Sequence, residues 1–160
     1  MSAVRLALAA DPAHVRVVRL VAVSLGRMYG VAEQSLDDVR LAAGEACGRA
    51  VAAHREGMVD EPIVIEIEED RGLVMTVRDK VAMPAASGER AADVLRAASA
   101  VGNLVQAASE PGELLSPSDR GDTMTTLPEA VALIEGLADS MTVTTGPSGT
   151  KVRMRWDRQR

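Results

Sequence analysis

Apolar and polar positions along the chain recur first with a helical period, then with a strand period, and each change of period marks an element boundary. The opening run Val4 to Ala9 is short, apolar and predicted to be a first strand. Asp11 followed by Pro12 is a helix start, an N-cap acceptor before a proline at the first helical position. Val15, Val18, Ala22 and Leu25 then form one stripe and Val17, Leu20, Val21 and Ser24 another, with Gly30 marking the end and Arg16, Arg19 and Arg27 as charged exceptions. A second helix is predicted from Ser35 to His54, opened by a capping-box-like Ser35 and Asp38. Leu36, Val39, Ala43, Ala46 or Cys47, and Ala50 repeat at three- and four-residue steps, and Leu41, Ala42 and Val51 widen the stripe. A helix apolar around most of its girth is packed on more than one side. Glu45 lies in that small-residue helix as a buried-looking carboxylate, with Arg49 one turn on as an i, i+4 partner.

After Gly57 the period falls to two. Ile63, Ile65 and Ile67 alternate with Val64, Glu66 and Glu68; Asp70, Arg71 and Gly72 supply a turn; Leu73, Met75 and Val77 alternate with Val74, Thr76 and Arg78. This hairpin ends at Asp79. Lys80 to Ser87 reads as a loop and Gly88 to Ser109 as a helix. Residues 110–126, rich in Pro, Gly, Ser and Asp, read as a long lid-like loop. Leu127 to Asp139 returns to helical spacing. Met141 to Thr145, a GPSG turn, and Lys151 to Trp156 close the chain as a second hairpin, with Val152, Met154 and Trp156 on its core face. Strands in pairs separated by helices define an α+β two-layer sandwich, an antiparallel or mixed sheet with helices on one face.

Composition narrows the class. A chain of 160 residues suits one domain, spanning 1–160, with a sizeable core. Only Tyr29 and Trp156 are aromatic, so base-stacking platforms are excluded and the core is aliphatic. The net charge is -5, yet the last ten residues carry five cations against Asp157, which reads as a solvated edge strand with a frayed end rather than a nucleic-acid patch. Cys47 is the sole cysteine, and no secretory segment or bilayer-length apolar run is present, so a reducing cytoplasm is the expected location. His14 and His54 have no ligand cluster at metal-binding spacing, and no metal site is predicted. Ser87, Ser99 and Ser109 belong to no nucleophile constellation.

Four stretches carry a family resemblance: LDDVRLAAGEAC with a helix end at His54, the strand ending VRD at Asp79, the helix ALIEGLADSMTV, and the terminal GPSGTKVRMR. Over nearly its whole length the chain resembles bacterial anti-sigma factors and serine kinases of the RsbW and SpoIIAB type, small members of the GHKL ATPase superfamily. The resemblance implies a homodimer that sequesters a sigma factor of RNA polymerase. It implies release by an anti-anti-sigma protein of the STAS type and, in active members, phosphorylation of a serine on that antagonist by ATP. No direct nucleic-acid contact and no membrane association are implied.

The motifs transfer unevenly. The family's first box has a Glu that acts as general base or positions water, then an Asn that ligates Mg²⁺. Glu45 matches, whereas Arg49 stands at the Asn position, and a guanidinium has donors only. In the second box an Asp receives the adenine amino group before two glycines. Asp79 matches, whereas Val81 and Met83 replace the glycines. The third, a glycine pair that cradles phosphate, aligns with Pro128, Glu129 and Ala130, where proline removes a donor and Glu129 adds negative charge. Gly149 and Thr150, which border the adenine in the family, are retained. The resemblance therefore implies cofactor-binding roles for Asp79, Gly149 and Thr150 only if a nucleotide binds, and a catalytic role for Glu45 only if kinase activity survives. Arg16 and Arg19 lie where the family's first helix grips sigma or its antagonist. The expectation is a degenerate, pseudokinase-like regulator with no cofactor; the alternative is an active kinase using ATP and Mg²⁺.

Overall fold

The computed structural model describes residues 3–94 and 127–159. Six strands form one antiparallel sheet: β1 (Ala3–Leu8), β2 (Ile63–Glu69), β3 (Gly72–Arg78), β4 (Ala86–Ser87), β5 (Ser140–Gly146) and β6 (Gly149–Asp157), in the order β1-β2-β3-β6-β5-β4. Helices α1 (Pro12–Met28), α2 (Leu36–Glu56) and α3 (Leu127–Leu137) accompany them, and residues 89–94 are also helical. The two-layer α+β sandwich is as the sequence implies. The predicted helix beyond residue 94 and the loop 110–126 lie outside the described residues.

The local chemistry explains most boundaries. The Asp11 carboxylate accepts from the Ala13 N–H at 2.8 Å and Pro12 occupies the first turn, so α1 starts where its cap lies. It ends at Tyr29, after which Gly30 turns back with φ +81°. The predicted capping box at Ser35 does not form. Ser35 has helical backbone angles and makes no side-chain cap bond, because one 3₁₀ turn, Glu33–Ser35, leads directly into α2. The β2–β3 turn is Asp70-Arg71, with Arg71 at φ 52°, and Gly72 follows at φ 146° against the Trp156 carbonyl, where a Cβ would overlap.

Strand alternation sorts the side chains between two faces. Ile63, Ile65, Ile67, Leu73, Met75, Val77, Val143, Val152, Met154 and Trp156 point into one cluster with Val18 and Ala22 of α1, Val39, Ala43 and Ala50 of α2, and Val131 and Ile134 of α3. Trp156 also donates its indole N–H to the Leu137 carbonyl at 2.9 Å, fixing the end of α3 to the sheet. The opposite face carries a ladder of ion pairs. Glu66 meets Arg78 at 2.8 Å and Arg5 at 3.9 Å, Glu68 meets Arg153 at 3.7 Å, and Asp70 meets Arg155 at 3.1 Å. The terminal basic residues are thus not on an edge strand, as the sequence suggests. β6 lies between β3 and β5, and its arginines neutralise carboxylates on and beside β2.

Candidate functional site

Asp79 follows β3 at the point where the β5–β6 turn and α2 converge. Its N–H donates to the Thr150 carbonyl at 3.0 Å, and its Oδ1 accepts from the N–H of Thr150 at 3.1 Å and of Val81 at 3.0 Å. Its Oδ2 accepts from Arg49 Nη2 at 2.5 Å. Both side chains of that ion pair are only 1% exposed. The carboxylate therefore sits in a dry site with its charge answered by a residue thirty positions earlier in the chain.

Gly149 is required where it stands. It has φ +119°, and a Cβ would run into the Asp79 carbonyl, so only a bare backbone permits β6 to start so close to the end of β3. The neighbouring Lys80 N–H donates to His54 Nε2 at 2.8 Å, which puts the proton of the neutral ring on Nδ1. Met83 N–H bonds the Gly146 carbonyl and Thr145 Oγ1 bonds the Pro84 carbonyl, so the segment from 79 to 84 is fastened to α2 on one side and to the β5–β6 hairpin on the other.

Asp79, Gly149 and Thr150, anticipated as neighbours, do come together. Arg49 joins them, which corrects the expected pairing with Glu45. On a helix, i and i+4 share a face, but the Arg49 side chain reaches across to the strand end, where a buried carboxylate gives a stronger electrostatic return than a half-wet one. Glu45 itself is half-buried rather than deep and has no hydrogen bond or ion pair among the described residues. Among the described residues, Asp79 is instead the carboxylate that the fold buries. Sequence periodicity held no local sign of the Arg49–Asp79 contact, which joins residues thirty positions apart.

On α1, Arg16 is exposed, while Arg19 is half-buried and lies over α2. Gly44 makes room for it, because a Cβ there would collide with the guanidinium. Arg19 Nε is buried without a partner among the described residues. Cys47, on the same helix, is buried, and desolvation pushes its thiol up to about 11 against opposing pulls from Arg19 and Arg49. It is a packed thiol, not a nucleophile.

A six-stranded antiparallel sheet with helices packed on it, and a buried strand-end aspartate hydrogen-bonded to the hairpin residue after Gly149, define a two-layer α+β domain. The family model of the histidine kinase-like ATPase domain matches residues 8–156, and the chain belongs to that family. No curated protein matches it.

That family implies a nucleotide and a metal ion, and the described residues do not fit either. A magnesium ion needs oxygen ligands. Position 49 supplies a cation with no acceptor, and no cluster of three or more His, Cys, Asp or Glu residues at metal-binding distance occurs among the described residues. The carboxylate that would receive a base has both oxygens engaged inside the chain and is closed to solvent. No helix among the described residues is long and apolar enough to cross a membrane.

Proposed function

We propose that this chain is an anti-sigma regulatory factor that sequesters a sigma factor of RNA polymerase, is counteracted by a STAS-type anti-anti-sigma protein, and works without ATP-dependent catalysis. The observation that carries the reading is the saturation of Asp79 by Arg49 in a member of an ATPase family. A fold whose nucleotide position is answered from within retains its surfaces as its means of action. The exposed part of α1 offers one: Arg16 lies beside Val17 and Leu20, which are 45% and 65% exposed. A cationic and apolar strip of this kind suits a protein partner with complementary acidic and apolar side chains. The mechanism is occlusion: a homodimer covers the polymerase-binding surface of sigma, and the antagonist competes for the dimer. Control then lies in partner abundance or in a separate kinase, in the cytoplasm.

The test is capture by the full chain from its native host, followed by reconstitution with the purified proteins. A sigma factor released by a STAS protein without ATP supports the proposal. Recovery of neither class would replace it with a structural dimerisation role. A second reading, an active serine kinase, is favoured by one observation: Glu45 is half-exposed and unpartnered among the described residues, as a base would be. Transfer of labelled phosphate from ATP to the STAS partner, abolished in Glu45→Gln, would establish it.

A further inference from the structure

The contact between Arg49 and Asp79 has the marks of a ligand position filled from within. A pair kept for stability alone is expected to use the arginine fork, two parallel N–H bonds to the two carboxylate oxygens. Here a single nitrogen, Nη2, reaches Oδ2, while Nε is buried with no partner among the described residues. Thr150 Oγ1, on the residue whose backbone N–H holds Oδ1, is also buried and unpartnered among the described residues. Buried donors without partners are costly, so this arrangement is poor as a purpose-built salt bridge. The remaining hydrogen bonds of Asp79 come from backbone N–H groups and do not depend on Arg49.

We infer that Arg49 is a resident substitute for an adenine-type ligand, and is itself the residue that excludes nucleosides from the Asp79 position. The inference rests on the nucleotide-free reading above and adds its cause. Removing the guanidinium frees Oδ2 as an acceptor, and Thr150, whose backbone N–H holds Oδ1, carries a buried hydroxyl that can donate. That combination complements an amino-heterocycle edge, which offers an N–H next to a ring nitrogen. Two features limit the gain to the nucleoside part: proline at residue 128 has no N–H to give a phosphate, and no cluster of three or more metal-ligating side chains occurs among the described residues.

The test is binding of adenosine, by calorimetry and by thermal shift, to the wild type, Arg49→Asn and Arg49→Asn with Asp79→Asn. Arg49→Asn should bind at least about tenfold more tightly than the wild type, and the second substitution should remove the gain. Equal binding by wild type and Arg49→Asn, with the variant folded by circular dichroism, overturns the inference. If Arg49→Asn does not fold, the wild type alone decides through amide exchange at Val81 and Thr150. Unchanged protection in saturating adenosine agrees with a resident Arg49, whereas altered protection at both shows that the ligand displaces it and overturns the inference. Failure here leaves sigma capture untouched, and failure of sigma capture leaves these titrations readable.

Discussion

Replacing Arg49 by Met removes the charge and keeps much of the side-chain length, so it isolates the electrostatic part of the Arg49–Asp79 contact. Both partners are 1% exposed, which puts the pair among buried ion pairs, where loss of one member costs about 3–5 kcal/mol. The screened, surface value of at most about 1 kcal/mol does not apply. For a chain of this size each kcal/mol moves the midpoint by about 2–4 °C, so Arg49→Met should melt about 6–20 °C below the wild type. Against a total stability of about 5–15 kcal/mol this is a large fraction. Asp79→Asn should be costly as well, because its amide oxygen can still accept from Val81 and Thr150 but its N–H₂ faces the Arg49 guanidinium. In the double variant neither the stranded anion nor the stranded cation remains, so its loss should fall short of the sum by about 2–3 kcal/mol. Urea unfolding followed through Trp156, the single tryptophan and fully buried, measures all three differences. A cost below about 1 kcal/mol for Arg49→Met, or simple additivity, would refute the claim that the two charges depend on each other.

Other outcomes follow from particular contacts. Gly149→Ala should destabilise by at least about 2 kcal/mol in the same unfolding assay, because φ +119° and the Asp79 carbonyl both oppose a Cβ. Gly44→Ala should stay within about 1 kcal/mol of the wild type, since the obstacle is the movable end of Arg19 and alanine favours the helix. Cys47, with its thiol raised from 9.0 to about 11, should resist thiol reagents near pH 8 and react only as the protein unfolds. Because its folded value lies above the unfolded one, its contribution to stability is intact below about pH 9 and declines from there to about pH 11; midpoints that rise across that range would contradict this.

Elements with a simple period were legible in the sequence. The alternation through Ile63, Ile65, Ile67 and Leu73, Met75, Val77 located β2, β3 and their inward faces, and Asp11-Pro12 located the start of α1. What escaped was set by distant partners. Strand order is one example: nothing in a basic C-terminal run says that its arginines will be matched by Glu68 and Asp70 on and beside β2 rather than left at a solvated edge. The choice of partner at Arg49 is another. Helix geometry offers Glu45 four residues away, but burial decides the matter, since the carboxylate taken out of water gains most from a counter-charge. The family resemblance supplied Asp79, Gly149 and Thr150 as neighbours, and the mutual backbone bonds of Asp79 and Thr150 explain their proximity.

Calorimetric titration of the wild-type protein with ATP in the presence of Mg²⁺ tests nucleotide independence most directly. With Asp79 held by Arg49 and no ligand set for the cation among the described residues, no saturable binding is expected in the micromolar range. Tight binding that requires Mg²⁺ would contradict it and return the chain to the catalytic members of its family.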